Sequence, residues 1–225
     1  MKQLILVFSL LPFIVYSQEK SDSIINSGSI KKEQLLIAKI NASTSQEDRV
    51  NALNKLSRFY IYYLPQRSPK YAHEALVLAQ GIDYINGMGD SYLNLGYYYF
   101  RIDDYHKSDS FYNNAISQYK IINNQIGVGM SYHLKARVSN GLGNYENSMG
   151  LLLKARDCFE SVDYSKGIGR IYETMGDIND IFGDYSTALE KLNLSISIKE
   201  EHKDSLSISR TYAYLGNVYY HLGKT

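Results

Sequence analysis

One interval governs what this chain can fold into. Tyr92, Tyr132, Tyr172 and Tyr212 stand 40 residues apart, and Tyr105, Tyr145 and Tyr185 keep the same step. So do Gly96, Ala136, Gly176 and Gly216, and so do Ser108, Ser148 and Ala188. Four columns in one register mark an internal repeat, and a period of this size means a solenoid or array. Such a unit cannot bury its apolar face alone, so the core must come from stacking one unit on the next.

Within a unit the spacing is that of two helices. Tyr92, Leu95, Gly96 and Tyr99 fall on one helical face, Asp103 and Asp104 interrupt, and Tyr105, Ser108, Tyr112, Ala115 and Tyr119 resume the pattern. The next two units turn at "GNY" (143–145) and "GDY" (183–185), where glycine supplies a left-handed backbone. Gly96 and Gly176 are expected to let the paired helix approach closely, with a Tyr or Leu from that helix filling the space.

Two glycine motifs invite a nucleotide reading. Gly127-Val128-Gly129 opens a helix as a phosphate-seating loop would, but Gly87-Met88-Gly89 and Gly167-Ile168-Gly169 repeat it, and Ser207-Ile208-Ser209 replaces it. A ligand loop would not recur at every joint, so the column reads as close packing between successive units. The terminal Gly223-Lys224-Thr225 lacks the earlier glycine of a phosphate loop, because position 218 is Val218, and no strand precedes it. It is the inter-helix turn once more.

The array is expected over 44–225, with units at about 45–86, 89–126, 129–166 and 169–206 and a partial unit at 209–225. The first unit is degenerate: Thr44 and Glu47 are spaced as a capping box, Leu53, Leu56, Ser57 and Tyr60 line its first helix, and Pro69, Ala72, Leu76 and Ala79 its second. Residues 18–43 form a polar N-terminal segment, unstructured over 18–29 and with one capping helix at about 30–40. The partial last unit, ending on an apolar face, is expected to continue in a longer parent chain.

Residues 1–17 read as a signal peptide: Met1-Lys2, an apolar run over 4–15, then Val15 and Ser17 as the small residues of a cleavage site. That run is well short of the roughly 20 residues of a spanning helix, so export and cleavage, hence a periplasmic protein, are expected; retention as an uncleaved anchor is the alternative. Cys158 is the single cysteine, so no disulfide can form within the chain.

The stretches "YLNLGYYYFRIDDYHKSDSFYNNA" and "YETMGDINDIFGDYSTALEKLNLS" resemble the tetratricopeptide repeat, with its aromatic–Leu–Gly–Tyr helix, Gly-Asp-Tyr turn and Ala/Ser–aromatic–Ala second helix. The resemblance implies an all-α, right-handed superhelical solenoid of antiparallel helix pairs. The period exceeds the usual length of about 34, the extra residues falling between one unit's second helix and the next unit's first, which places the chain with a longer-helix subgroup. Lys135, Ala136 and Ser139 depart from the motif. "RVNALNKLSRFY" (49–60) also resembles the exported N-terminal region of membrane-bound signalling regulators of Bacteroidetes-like bacteria. There the array is followed by a membrane helix and a DNA-binding or histidine-kinase output.

A net charge of +1 provides no global field for nucleic acid or an acidic membrane. None of the five histidines has metal-ligand spacing and no nucleophile–base constellation can be drawn, so no metal, cofactor or catalytic residue is expected. Cys158 reads as a semi-buried filler. What the resemblance implies is a concave face, lined by first helices, that binds a protein or peptide partner. Its columns fall on Asn94, Tyr97 and Arg101, then His133 and Arg137, then Arg170, Glu173 and Asp177, then Arg210, Asn217 and Tyr220. Arg pairs with carboxylates and Tyr adds apolar area at little entropic cost, so an acidic or carboxyl-bearing peptide suits them. His133 and Arg137, on one helix face, read either as an anion contact or as solvated surface. Two functions fit: the input part of a signal-transduction regulator, or a stand-alone periplasmic scaffold. Any membrane attachment would come through an uncleaved signal or a following segment.

Overall fold

A computed structural model describes residues 27–203 and 205–223; the expected signal peptide and most of the polar stretch after it lie outside them. Among the described residues ten α-helices follow one another: α1 (Ser27–Asn41), α2 (Gln46–Tyr63), α3 (Ser68–Gly81), α4 (Ile85–Arg101), α5 (Tyr105–Ile121), α6 (Gln125–Gly141), α7 (Tyr145–Glu160), α8 (Ser165–Ile181), α9 (Tyr185–Glu201) and α10 (Ser205–His221). A single 3-10 turn, Pro65–Arg67, joins α2 to α3, and no strand occurs among the described residues. Each helix packs on its successor, and α2, α4, α6, α8 and α10 also pack on one another as an inner layer. The all-α solenoid of antiparallel pairs is therefore the fold, and α1 caps it by packing on α2.

From the end of α3 onward the joints have a single geometry. Asp83, Asp103, Asn123, Gly143, Asp163, Gly183, Lys203 and Gly223 all have positive φ, between 51° and 74°. One such residue therefore falls every 20 positions, within units and between them alike. Asp and Asn tolerate this region better than other side chains. The following residue then caps the next helix: Asp104, Asn124, Asn144 and Asp184 accept the backbone N–H of Lys107, Gly127, Asn147 and Thr187. The residues beyond the usual repeat length lie in helix, since α4, α5, α6, α8 and α9 each have 17 residues. They do not form a longer connection between units.

Inner helices thus start four residues before the expected unit boundaries, at 85, 125, 165 and 205, because the Asp/Asn-containing joint lies ahead of the glycine doublet. The doublet sits inside the first helical turns, and its purpose is steric. A Cβ on Gly89 or Gly127 would lie 2.6 or 2.5 Å from the ring of Tyr119, and one on Gly129 or Gly167 would lie 2.6 or 2.4 Å from that of Phe159. Each ring, carried by an outer helix, is slotted between two successive inner helices. Tyr119 and Phe159 are both essentially solvent-free. At the last joint the ring column holds Lys199, and the glycines become Ser207 and Ser209. The packing expected at Gly96 and Gly176 is present too, against Tyr112 at 2.5 Å and Leu192 at 2.6 Å. The serine column ties the same crossing, Ser108 and Ser148 each donating to the carbonyl of Gly96 or Ala136 at 2.8 Å.

Two local expectations fail by small margins. Helix α1 begins at Ser27, inside the stretch read as unstructured, since the apolar residues from Ile30 onward carry the helix back through its polar first turn. The N-cap of α2 is Ser45, which accepts from the Asp48 backbone at 3.0 Å; the Thr44–Glu47 pair is one residue out of register.

Candidate functional site

The inner helices enclose a cavity of about 310 Å³ lined on several sides by cations: Arg58 from α2, Arg137 from α6, Arg170 from α8 and Arg210 from α10. Tyr62, Tyr97 and His133 are among the other polar residues of the wall, and Asp90 is the one carboxylate on it. A second cavity of about 660 Å³ adjoins the first and shares Arg58, Tyr62, Arg170 and Arg210 with it. Its remaining lining comes from α1, α2 and α10 and includes Lys32 and Lys55 but no acid. The solenoid therefore curves far enough for its fourth and fifth units to face its first.

Together the two cavities present six cations (Lys32, Lys55, Arg58, Arg137, Arg170, Arg210) against one carboxylate. The whole chain carries only +1. The positive charge is concentrated on the concave side, where low-dielectric walls focus it. Asp90 is the one acid set against it; burial raises its carboxyl pKa, although the Tyr119 hydroxyl donates to it at 2.6 Å.

The aromatic residues are held by these charges. Tyr97 meets Tyr62 edge-on at 5.8 Å, and the Arg137 guanidinium lies 4.8 Å from the Phe100 ring centre and 6.0 Å from that of Tyr97. Burial disfavours ionisation of Tyr97, but Arg137 and the hydrogen bond with Tyr62 outweigh it and lower the phenol's pKa. His133 is 3% exposed, with Nε2 3.0 Å from the Thr174 hydroxyl. Burial, reinforced by Arg137, Arg170 and Arg210, holds its pKa well below the usual imidazole range. The ring is a neutral wall residue, so the solvated-surface reading of the His133–Arg137 pair is wrong. Its Nδ1 has no hydrogen-bond partner.

The sequence-derived columns divide here. Tyr97, His133, Arg137, Arg170 and Arg210 come together at the cavity. Asn94 does not: it is buried, donating to the Asn54 carbonyl at 3.0 Å, and acts as a stitch between α2 and α4. Glu173 is buried too, accepting from Arg210 Nε at 2.6 Å and Thr211 Oγ1 at 2.8 Å and pairing with the Lys199 ammonium. Burial works against its ionisation, yet Arg210 and Lys199 prevail and lower its pKa. Asp177 accepts from Asn140 at 3.0 Å, and Arg101 reaches the Ile61 carbonyl at 3.4 Å. Asn217 and Tyr220 are exposed on α10 and line neither cavity. Arg58 and Tyr62 belong to the site, although the repeat columns do not select them.

Elsewhere the chemistry is sparse. Among the described residues no group of three or more His, Cys, Asp or Glu could hold a metal ion, and no helix is long and apolar enough to cross a membrane. Cys158 is half-buried, and burial together with Asp157 raises its pKa.

No family model and no curated protein matches the chain. Solved structures do. The fold is similar to BtubC (BKLC) from P. vanneervenii, at 18% identity and a TM-score of 0.63, over 92% of this chain and 84% of that one. It is also similar to aspartyl phosphate phosphatase F from Bacillus subtilis, at 16% identity and a TM-score of 0.68. That match covers 88% of this chain and 52% of the phosphatase, so the chain spans about half its length. At such identities the likeness is one of fold: a helical-repeat solenoid.

Proposed function

We propose that this chain is a binding module which seats an acidic segment of a protein or peptide partner on its concave face. The observation that carries the reading is the charge imbalance of the two joined cavities, six cations to one carboxylate. Arg210 is paired with Glu173, but Arg58, Arg137 and Arg170 share the same half-enclosed site and repel one another; an incoming anion relieves that repulsion while gaining charge-assisted hydrogen bonds. The aromatic wall adds contact area. We further propose that the module is exported and serves as the input part of a signal-transduction regulator, on the strength of the N-terminal apolar run and the resemblance of residues 49–60 to such regulators.

The test is equilibrium binding of a fluorescent polyglutamate peptide to the folded chain. Arg58→Glu and Arg170→Glu should each weaken binding about ten-fold or more, the size of one lost charge-assisted contact, while helicity by circular dichroism stays unchanged. Unaltered affinity in both variants would remove the concave face from consideration. The regulator reading is tested separately: sequence beyond Thr225 should contain an apolar run of about 20 residues, and a stop codon there would favour a free scaffold.

A further inference from the structure

The two cavities differ in character, and the difference specifies a ligand more closely than charge alone. Arg58, Arg170 and Arg210 line both, so three guanidinium groups from three different helices stand at the waist where the cavities meet. On one side of the waist is His133, buried, with an unpartnered Nδ1. On the other side Phe59 and Tyr63 stack at 4.5 Å beside Leu36, and Tyr62 leaves 54% of its surface open. We infer that the site takes an organic dianion with an aromatic body, of the aryl phosphate class, its head at the three-arginine waist and its ring against Tyr62 and the Phe59–Tyr63 pair.

The head must be more than a single carboxylate. One carboxylate satisfies one guanidinium fork, whereas a phosphate monoester offers about two charges and three strong acceptor oxygens. His133 fits the same head. Its Nε2 meets the Thr174 hydroxyl at 3.0 Å, and that hydroxyl donates to the Arg170 carbonyl at 3.3 Å. As a neutral ring it walls the seat of the head without adding charge, and through Thr174 it braces the helical turn that carries Arg170. Arg210 is already oriented for the task, because Glu173 holds its Nε at 2.6 Å. The body of the ligand is equally constrained. Arginine and tyrosine faces together favour a flat ring, through stacking and cation–π contact, over an aliphatic chain. A free aryl phosphate and a phosphotyrosine side chain on a partner share this chemistry. The inference rests on the anion-binding reading of the concave face, and extends it to the charge and shape of the occupant.

The experiment is isothermal titration of the full chain with inorganic phosphate, phenyl phosphate and benzoate, and with a phosphotyrosine-containing peptide. Phenyl phosphate is expected to bind about ten-fold tighter than either inorganic phosphate or benzoate, a ratio within reach of one buried ring. Tyr62→Ala should bring phenyl phosphate down to the affinity of inorganic phosphate without altering the latter. Arg58→Gln should weaken phenyl phosphate and inorganic phosphate alike. Tighter binding of the peptide than of phenyl phosphate supports the proposal with a partner's side chain as the source; tighter binding of phenyl phosphate supports it with a free small molecule. Equal affinity for inorganic and phenyl phosphate would overturn the aromatic body, and equal affinity for benzoate the dianionic head. If none of these probes binds but polyglutamate does, the dianion proposal falls and the acidic-partner reading stands; if polyglutamate also fails, both fall.

Discussion

Gly96 and Gly216 occupy the same column of the repeat, and their surroundings differ in one respect that can be measured. A methyl group added at Gly96 would meet the Tyr112 ring at 2.5 and 2.6 Å, and Tyr112 has no exposed surface into which to retreat. Ordinary contact between carbon atoms begins near 3.5 Å, so the ring or the helix must move by about 1 Å. Overpacking of this kind costs about 1–3 kcal/mol. At Gly216 nothing lies within 4 Å of the added methyl group. Both positions are helical, so the gain of about 1 kcal/mol in helix propensity from Gly to Ala applies to each and cancels in the comparison. Gly216→Ala should therefore raise stability by about 1 kcal/mol, and Gly96→Ala should fall about 1–3 kcal/mol below it. Urea denaturation of both variants, followed by circular dichroism, reads the difference. If the two shift stability equally, the glycine column is not there to admit a ring, and the account of inter-helix packing given above is wrong.

Three further outcomes follow from particular residues. Glu173→Gln leaves Lys199 buried without its counter-ion and should cost about 3–5 kcal/mol, with amide exchange rising first in α10, which that carboxylate ties to α8 and α9; uniform exchange along the chain would contradict this. Because burial depresses the folded-state pKa of His133, its contribution to stability is fully present above the unfolded value of about 6.5 and is lost as pH falls towards the folded value. His133→Gln should consequently flatten the acid limb below about pH 6.5, and an unchanged difference between wild type and variant from pH 7 to 5 would refute the burial argument. Gly143, at φ +74° with open space around it, should lose about 1–2 kcal/mol on substitution by Ala through backbone strain alone, whereas Gly150→Ala, also in open space but with no positive φ, should show no such loss.

The repeat, the turn glycines and the close-packed columns were legible because each has a residue type that only one geometry requires. The phosphate-loop look of the glycine doublet dissolves once the rings it accommodates, Tyr119 and Phe159 on the outer helices, are seen beside it. The binding face was half legible. Columns stepped by 40 locate Tyr97, Arg137, Arg170 and Arg210 correctly, but the same step carries Tyr97 and Arg101 onto Ser57 and Ile61, both solvent-free. The first unit is out of register, with a longer α2 and a 3-10 turn, so the residues that reach the cavity are their neighbours Arg58 and Tyr62. Asn94 and Glu173 misled for another reason. Polar side chains on an inner helix can serve the next helix as readily as a ligand, and periodicity does not record which neighbour a side chain chooses.

The unvarying 20-residue cadence of left-handed joints has a consequence for how such chains can be edited. Since the backbone makes the same bend after every helix from α3 onward, nothing in its geometry there marks where one repeat ends and the next begins. A duplication, deletion or fusion point set in any of these joints would be stitched back with the same local conformation, provided the cut length is a whole number of helix pairs. An odd number would turn every later ring and glycine inside out. The frame of this protein is read in pairs, although its hinges are spaced singly.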